Sequence, residues 1–286
     1  MLMDGRNIAK EIKTEIKIEI DKIKETYRIS PSVALVLVGA DPASEVYINS
    51  QIKSCKDLGI DAKEYFFGND ITEEFLLSLI NELNENPEID GIMINLPLPK
   101  HINVTKILNK IKLTKDVDGF KAENLGLLFQ NDKDFIAPST PAGIMEMLKR
   151  YKIELEGKDV VVVGRSNIVG KPVAALVLNA HGTVTICNSF TKNLADKTKN
   201  ADILISAVGK PLFITKDMVK EGAVVIDVGI NRVGDKIVGD VDFENVKEKV
   251  SYITPVPGGV GALTVAMLFS NILKAFKTNR NILEGK

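Results

Sequence analysis

The chain has 286 residues, a formal net charge of −1 and 26% charged residues of both signs. This balance excludes the strongly basic surface that nucleic-acid-binding proteins and proteins of anionic membranes present. A chain of this length predicts two domains of ordinary size, each able to bury a core of its own.

The cysteine content and the N-terminus indicate a reduced, cytoplasmic setting. The two cysteines, Cys55 and Cys187, form no CxxC pair and no zinc spacing, so we expect neither a disulfide framework nor a metal site. The charged N-terminus lacks the apolar core of a signal peptide. The uncharged run at 250–273 is long enough to span a bilayer, but its prolines and glycines predict an apolar helix that is too short to cross one. We therefore expect a soluble protein that binds neither nucleic acid nor membrane.

Strands and helices alternate over the first hundred residues. Isoleucines recur every three or four positions from Ile8 to Ile23, which is typical of an amphipathic helix. The elements predicted after it are strands at 32–38, 61–67 and 91–95 and helices at 44–58 and 72–83. Thr72 is the expected N-cap of the last helix, and a turn at 39–42 should end the first strand. This alternation predicts a parallel sheet with helices on both faces.

The stretch from Lys158 to Ser189 predicts half of a dinucleotide-binding unit. The run Val160 to Val163 is typical of a buried parallel strand, a glycine turn follows it, and a helical pattern opens at Gly170. A second strand is predicted at 184–186. Strand, glycine turn, helix and strand in this order form the unit, although a glycine turn in another α/β fold is the alternative.

The composition of this turn favours NADP over NAD. The turn reads GRSNIVG, which meets the GxGxxG fingerprint only in part. NAD sites usually carry an acid at the end of the second strand, but no acid occurs between Gly164 and Ala195. Arg165 and Ser189 would instead suit a 2′-phosphate.

The rest of the chain continues the α/β pattern. A polar stretch at 113–139 is the expected domain junction. The later predicted elements are helices at 140–151 and 262–276 and strands at 202–206 and 223–227. The expected fold class is α/β with two domains, each a mainly parallel sheet flanked by helices, and with a ligand cleft between them. The predicted domains are 1–138, completed by the C-terminal helix at 262–286, and a Rossmann-type domain at 139–261.

Several motifs together resemble one family nearly end to end. They are SEVYINSQIKSCKDLGI, GIMINLPLP, KDVDG, STPAG, VVVGRSNIVGKP, IDVGIN, VGDVDF and ITPVPGGVGALTVAML. The sequence is identified by them as a member of the 5,10-methylenetetrahydrofolate dehydrogenase/5,10-methenyltetrahydrofolate cyclohydrolase family, called FolD in bacteria. The resemblance implies a homodimer that binds tetrahydrofolate derivatives between its domains and NADP on the C-terminal domain, with no metal or flavin.

The resemblance also implies roles for particular residues. Those expected at the cofactor are Gly164, Arg165, Ser166, Ser189 and Ile230, with Arg165 and Ser189 at the 2′-phosphate and the Ile230 backbone at the nicotinamide. Those expected at the folate are Tyr47, Leu96, Pro97, Asp118, Pro257, Gly258 and Gly259. Relatives often have a basic residue after the serine, whereas Phe190 stands here. This weakens the NADP prediction without reversing it, and Lys192 could supply part of the charge.

Two positions depart from the family pattern. The catalytic lysine, four residues after the tyrosine, is replaced by Gln51, and its partner glutamine is replaced by Asn95. Lys53 cannot substitute, because two residues turn a helix by about 200°. Tyr47 and Asp118 are retained, so the catalytic set in this chain is Tyr47, Gln51, Asn95 and Asp118.

These departures predict different outcomes for the two reactions of the family. Hydride transfer needs alignment rather than a titrating side chain, whereas hydrolysis of the methenyl bridge needs a base, and glutamine does not titrate. The hypothesis is a dehydrogenase with weak or no cyclohydrolase activity, served by a separate cyclohydrolase downstream. A bifunctional enzyme in which Gln51 and Asn95 position a water is the main alternative. A shikimate-dehydrogenase-like enzyme and a non-catalytic folate- or nucleotide-binding protein are two others.

Overall fold

A computed structural model of the chain describes residues 1–39, 42–132 and 134–282. Its α-helices are α1 Gly5–Tyr27, α2 Pro42–Leu58, α3 Glu73–Glu85, α4 Val104–Lys110, α5 Ala122–Phe129, α6 Ser139–Arg150, α7 Gly170–Asn179, α8 Leu194–Thr198, α9 Phe243–Val246 and α10 Val260–Asn279. Its strands are β1 Ser32–Val38, β2 Asp61–Phe67, β3 Gly91–Ile94, β4 Asp159–Val163, β5 Thr183–Cys187, β6 Ile203–Ser206, β7 Val224–Asp227, β8 Asn231–Val233, β9 Lys236–Val238 and β10 Tyr252–Ile253. Single 3₁₀ turns lie at Leu113–Lys115 and Lys216–Met218.

The chain divides into two compact units. The first unit comprises Met1–Glu11, Leu128–Asp132 and Pro138–Met267, and the second comprises Ile12–Leu127, Lys133–Ala137 and Leu268–Lys286. This division differs from the predicted domains at residues 1–11, 128–132 and 262–267, which fall in the first unit. At the N-terminus, Met3 N donates to Ile253 O (2.9 Å) and Ile253 N donates to Met1 O (3.0 Å). These bonds attach the first residues to β10. The predicted turn at 39–42 and helix at 262–286 include residues 40, 41 and 283–286, which lie outside the described part of the chain.

The second unit contains a parallel sheet in the order β2-β1-β3. All seven residues of the central strand β1 are buried, as expected for a parallel strand covered on both faces. The core on one face is formed by apolar residues of β1, β3, α3 and α4. Beyond β3, Ile92 and Asp116 form a single parallel bridge. The segments that follow β3 and Asp116 therefore emerge at the same edge of this sheet.

The first unit contains a five-stranded parallel sheet in the order β10-β7-β6-β4-β5. The strand that follows β4 in the chain pairs on one side of it, and the next strand, β6, pairs on the other side. Such a reversal creates the crevice where ligands bind in doubly wound sheets, at the carboxyl ends of the strands. The predicted α/β class with parallel sheets is thus confirmed.

The structure corrects the predicted elements in several places. The junction at 113–139 contains α5, and α4, α8, α9, β10 and the β8-β9 hairpin were not predicted. These elements are short, and short segments carry too few periodic positions for a pattern to emerge.

The C-terminal helix extends at both ends beyond the helix predicted at 262–276. The helix α10 covers 20 residues and has the length and composition of a membrane-crossing helix, so the prediction that glycines would leave it too short is wrong. Gly261 lies in its first turn, where the helix tolerates it. Phe269, Ile272 and Phe276 are completely buried, and 56% of the most apolar window is buried, which is the pattern of a core helix.

The helix α3 begins as predicted, because the Thr72 hydroxyl accepts a hydrogen bond from Phe75 N (3.1 Å). Replacing Thr72 by Ala leaves that N–H without its acceptor. We expect Thr72→Ala to lower the free energy of unfolding by about 1 kcal/mol in urea titrations. Thr72→Ser keeps the acceptor and serves as the control, and an equal loss in both variants would show that the cap contributes nothing.

Candidate active site

The turn after β4 requires glycine at two of its positions. Gly164 has φ +132°, and a Cβ there would lie 2.4 Å from Ala207 O, in the segment that follows β6. A Cβ at Gly170 would lie 2.2 Å from Gly164 O. The turn, the start of α7 and the end of β6 therefore pack backbone against backbone at the switch point of the sheet.

A cleft of about 220 Å³ opens beside this turn. It is lined by Val163, Gly164, Arg165, Asn188, Ser189, Leu194, Ala207, Val208, Lys210 and Phe213. The Ser166 hydroxyl accepts from Val169 N (3.1 Å) and Gly170 N (3.4 Å), so this side chain orders the first turn of α7. A glycine turn that leads into a helix N-terminus, with cations beside it, fits the phosphates of a dinucleotide.

The loop after β5 presents Ser189 to this cleft. Asn188 holds the loop in an Asx turn, because its Oδ1 accepts from Phe190 N (3.0 Å) and its own N–H donates to the Thr191 hydroxyl (2.9 Å). Phe190 is 80% exposed, and its ring lies 5.5 Å from the Arg165 guanidinium carbon, within the range of a cation–π contact. Phe190, the aromatic residue at the position where relatives often carry a cation, thus contacts Arg165.

The positive charge of this cleft comes from Arg165, which the sequence predicted, and Lys210, which it did not. Arg165 and Lys210 are the cations that line it, and no acidic residue lines it. Lys192, which the sequence suggested as a further cation, does not line it. Lys210 follows β6, and only the pairing of β6 with β4 brings it near Arg165.

A second cleft of the first unit, of about 290 Å³, gathers the predicted nicotinamide and folate loops. Ile230, which is 67% exposed, lines it together with Pro257, Gly258 and Gly259. Gly258 O accepts from the N–H groups of Gly5 (3.0 Å) and Arg6 (3.2 Å), so the N-terminal segment holds this loop. Arg6 and Asp227 also line the cleft, and the sequence analysis missed both. Burial is the main cause that raises the pKa of Asp227 to about 6.

In the second unit, α2 carries Gln51 on its buried face. Gln51 is 1% exposed and lies between Ile48 (1%) and Cys55 (0%) on the same stripe of the helix. Tyr47, one turn before it, is 39% exposed. Lys53 is exposed, as the 200° rotation along the helix required.

The Gln51 amide interacts with Tyr47, but not in the geometry of a hydrogen bond. Among the described residues, neither Gln51 Oε1, Gln51 Nε2 nor Asn95 Nδ2 has a partner in hydrogen-bonding geometry, although all three are buried. The Asn95 backbone N–H extends the sheet by donating to Val36 O (2.8 Å). A buried polar group without a partner costs about 1–3 kcal/mol, so these amides are better suited to a ligand or a bound water than to an empty protein.

Two neighbouring aspartates have opposite surroundings. The buried carboxylate of Asp116 accepts from Lys121 N (2.8 Å) and Asn124 Nδ2 (2.7 Å). No donor in the described chain reaches Asp118, whose pKa is raised to about 8, first by burial and then by the charge of Asp116. The pKa of Tyr47 is raised by burial and by the charge of Asp118, while the nearby Gln51 lowers it. Tyr47, Gln51 and Asp118 therefore lie in one electrostatic environment.

The described lysines of lowered pKa have other partners. Within the described ranges, the lysines whose pKa is lowered by burial are Lys13 and Lys115. Lys115 Nζ donates to the carbonyls of Leu83 (2.9 Å) and Asn86 (2.7 Å). Lys13 Nζ donates to the Ser54 hydroxyl (3.4 Å). Both ammonium groups are held by other partners.

Comparison with known proteins identifies the family. Residues 3–118 match the family described as tetrahydrofolate dehydrogenase/cyclohydrolase, catalytic domain, and residues 138–280 match its NAD(P)-binding domain. The chain belongs to the tetrahydrofolate dehydrogenase/cyclohydrolase family. A protein of Fusobacterium nucleatum named bifunctional protein FolD is 71% identical over 99% of this chain and 100% of its own length.

Solved structures of the family have the same fold. The bifunctional enzyme FolD of Campylobacter jejuni superposes with a TM-score of 0.96 at 47% identity, over 99% of both chains. The FolD of Trypanosoma brucei, solved with an NADP cofactor and an inhibitor, gives a TM-score of 0.93 at 36% identity, also over 99% of both chains. The family membership rules out the shikimate-dehydrogenase-like alternative.

Most of the predicted site residues thus fall into three groups. Gly164, Arg165 and Ser189 share the cleft beside β4, and Ile230 and the segment 257–259 share the second cleft. Tyr47, Gln51 and Asp118 lie together in the second unit. Leu96, which is half-buried, and the exposed Pro97 follow Asn95, and the peptide bond between them is cis.

The raised pKa of Asp118 makes stability depend on pH. Its pKa is 3.8 ordinarily and about 8 when folded, so between about pH 4 and pH 8 the folded state holds a proton that the unfolded state has released. The contribution of the Asp118 proton to the free energy of unfolding is fully present below about pH 4 and is lost as the pH rises through about 8. Asp118→Asn removes this titration. The free energy of unfolding of the variant, relative to the parent, should therefore increase from pH 4 to pH 8 in urea titrations, and a difference independent of pH would contradict the assignment.

Proposed function

We propose that this protein is an NADP-dependent 5,10-methylenetetrahydrofolate dehydrogenase of one-carbon metabolism, with weak or no cyclohydrolase activity. It transfers a hydride from the methylene carbon of the folate and produces 5,10-methenyltetrahydrofolate. The observation that carries the proposal is the buried Gln51, which does not titrate and which stands at the position of the family's catalytic lysine. The family membership supports the dehydrogenase, and Gln51 supports the loss of hydrolysis.

The residues of the chain serve the oxidation by binding and alignment. NADP, when bound, supplies the hydride acceptor, and Gly164, Arg165 and Ser189 would hold its adenosine phosphates. The Ile230 backbone would meet the nicotinamide. The lone pairs on the folate nitrogens expel the hydride, so alignment of the two carbons is the main requirement on the protein. In the second unit, Asp118 would accept hydrogen bonds from N–H groups of the folate, with Leu96 and Pro97 beside it. In the first unit, the segment 257–259 would contribute to folate binding.

Hydrolysis makes a demand that these residues do not meet. Water must be activated at the cationic methenyl carbon, and a proton must then move to a folate nitrogen. A lysine of lowered pKa can do this, whereas Gln51 cannot exchange a proton at neutral pH. General acid–base catalysis typically accelerates a reaction by roughly 10²- to 10⁴-fold, and this is the acceleration of hydrolysis that the chain loses. The methenyl product would then pass to a separate cyclohydrolase.

A bifunctional enzyme is the second candidate. The relatives at 71% and 52% identity are named bifunctional proteins, and that naming favours retained hydrolysis. The unpartnered amides of Gln51 and Asn95 supply hydrogen bonds with which a water could be held at the methenyl carbon. In that case Asp118 or Tyr47 would have to move the proton.

The cofactor cleft favours NADP over NAD. Arg165 and Lys210 line it without any acid that would take the ribose hydroxyls, and the stacked ring of Phe190 restrains the Arg165 guanidinium. A restrained arginine loses less side-chain freedom when it binds a phosphate. Phe190 can therefore compensate for the cation that many relatives carry at its position.

The assembly we propose is a cytoplasmic homodimer. The strand β5 is an edge of the five-stranded sheet, and Ile186 on it and Leu178 on α7 are 40% and 56% exposed. An exposed edge with apolar side chains is a surface that a second copy can cover. The buried free thiols of Cys55 and Cys187 agree with a reducing compartment. Light scattering of the purified protein tests the dimer.

The loss of hydrolysis is tested by two ultraviolet assays, one of methylenetetrahydrofolate oxidation with NADP and one of methenyltetrahydrofolate decay. We expect methenyltetrahydrofolate, the oxidation product, to accumulate and to decay only at the buffer rate, which is the rate of its hydrolysis in buffer without protein. Gln51→Lys combined with Asn95→Gln should accelerate the decay by about 10²-fold, because a titrating amine returns to the site.

Gln51→Met, of similar size and unable to titrate, is the matched control and should leave the decay at the buffer rate. Decay well above the buffer rate in the parent protein would reject the loss of hydrolysis and favour the bifunctional enzyme. Absence of any folate-dependent NADP reduction would reject the dehydrogenase and favour a non-catalytic binding protein.

The cofactor preference is tested by steady-state kinetics with NADP and NAD. Arg165→Gln should raise KM for NADP by roughly 10- to 100-fold, because a charge-assisted bond to phosphate is worth about 1.5–3 kcal/mol, and should change KM for NAD little. Phe190→Ala should shift KM for NADP in the same direction by a smaller factor, and Phe190→Lys should reverse that shift. Equal changes for both cofactors would show instead that Phe190 contacts the part of the molecule that they share.

A further inference from the structure

The buried carboxyl group of Asp240 gathers hydrogen bonds from two segments that line the clefts of the first unit. Its Oδ2 accepts from Val208 N (2.7 Å), Gly209 N (3.2 Å) and the Ser206 hydroxyl (3.3 Å). Its Oδ1 accepts from Lys210 N (3.0 Å) and Asn231 Nδ2 (2.9 Å). Asp240 is completely buried, so water does not replace these bonds. One side chain thus orders the whole segment after β6.

Asp227, at the end of β7, binds the segment that carries Asp240. Asp227 Oδ1 accepts from Asp240 N (2.9 Å) and Gly229 N (2.9 Å), and its Oδ2 accepts from Val241 N (2.9 Å). Asp227 therefore holds the backbone around Asp240 in place, while the Asp240 side chain reaches on to the segment after β6. The segments after β6 and β7 are joined through this pair.

Two glycines make room for the pair in a reciprocal way. A Cβ at Gly229, two residues after Asp227, would lie 2.1 Å from Asp240 Oδ1. A Cβ at Gly239, one residue before Asp240, would lie 1.8 Å from Asp227 Oδ2. Each carboxyl group therefore occupies the space that a side chain on the other segment would need. We call the four residues Asp227, Gly229, Gly239 and Asp240 the aspartate clasp.

The aspartate clasp joins the two clefts. The segment that Asp240 orders contributes Val208 and Lys210 to the cleft beside β4. The segment that Asp227 begins contributes Gly229 and Ile230 to the second cleft. Asn231, which donates to Asp240, follows Ile230 directly. The spacing between the two clefts is therefore set by buried hydrogen bonds rather than by apolar packing alone.

We propose that Asp240 is a positioning residue for hydride transfer, which fixes the nicotinamide-side segment at Ile230 relative to the segment after β6 that lines the cleft of the adenosine phosphates. The inference rests on the proposed placement of NADP along these two clefts. A dinucleotide that spans both clefts has its reactive ring placed by their separation. Misplacement of a reacting carbon by about 1 Å can cost roughly 10²-fold in rate.

Asp240→Asn is the main test. Either orientation of the new amide turns its NH₂ group toward a backbone N–H that now donates to Asp240, so the segment after β6 must shift. We expect KM for NADP to rise and kcat to fall, each by about tenfold. We also expect the deuterium isotope effect on kcat, with folate labelled at the methylene carbon, to increase, because slower hydride transfer then limits the rate.

Asn231→Ala distinguishes the contact of Asp240 with the nicotinamide-side segment from its contacts with residues 208–210. It remains informative if Asp240→Asn fails to fold. It removes only the bond between the nicotinamide-side segment and Asp240 Oδ1, and it leaves the bonds to residues 208–210 intact. We expect kcat to fall by about tenfold with an increased isotope effect, and KM for NADP to change less than about twofold. Asp235→Asn, an exposed acid in the turn of the β8-β9 hairpin, is the matched control and should leave all three quantities unchanged.

NADPH binding, followed by its own fluorescence in this tryptophan-free chain, separates failure of the inference from failure of the proposed function. If Arg165→Gln weakens NADPH binding but Asp240→Asn and Asn231→Ala both keep the parental kcat and isotope effect, the positioning role is wrong and the cofactor placement stands. If Arg165→Gln also leaves binding unchanged, the placement of the cofactor is wrong, and the inference fails with it. A clasp variant that lowers only the melting temperature would assign the clasp a structural role and overturn the proposal.

Discussion

The structure depends on how backbone N–H groups are satisfied where the parallel strands end. In a parallel sheet the strand ends lie at one edge, and the segments that follow them must turn sharply while they stay close together. Buried backbone donors without partners are costly, so each such segment needs an acceptor. For the segments after β6 and β7 of the first unit the acceptors are the carboxyl groups of Asp227 and Asp240, which among the described residues receive six backbone and two side-chain hydrogen bonds. The glycines beside them follow from the same constraint, since only Gly229 and Gly239 leave room for the acceptors.

In the second unit, the buried polar groups near the strand ends have fewer hydrogen-bond partners. Asp116 is fully used by Lys121 and Asn124, and Asn271 Nδ2 donates to the carbonyls of Val117 and Ala137 (2.9 Å each). Asp118 and the amides of Gln51 and Asn95, in contrast, have unused capacity among the described residues. In the ligand-free protein, an apolar side chain in place of Gln51 would give a higher free energy of unfolding. The retained polarity is therefore better explained by a bound ligand or water than by folding.

The two reactions of this family differ in what they ask of the protein, and this difference explains how one of them can be lost. Oxidation uses the electrons of the folate nitrogens and requires mainly that two rings be held in register. Hydrolysis requires a side chain that can give and take a proton near neutral pH. Under the proposed function, replacement of one lysine by Gln51 removes the second capacity while the geometry that serves the first stays in place. The change of its partner to Asn95 is consistent with the release of that site from the hydrolytic role.

The sequence by itself determined those features that depend on neighbours along the chain. Helix periodicity alone separates Gln51 from Lys53, the cap at Thr72 follows from local hydrogen bonding, and the β-branched run with its glycine turn predicts β4 and Gly164. The motifs identify the family and the replaced lysine before any fold is known.

Only the tertiary structure decided the properties that depend on distant segments. Asp116 and Asp118 look equivalent in the sequence, and only the positions of Asn124 and Lys121 show which carboxyl group is satisfied. Lys210 joins Arg165 because β6 pairs with β4, and Asp240 reaches the segment after β6 because β7 lies beside it. Which strands become neighbours is set by the packing of the whole sheet. A chain read residue by residue does not contain that information in its local pattern.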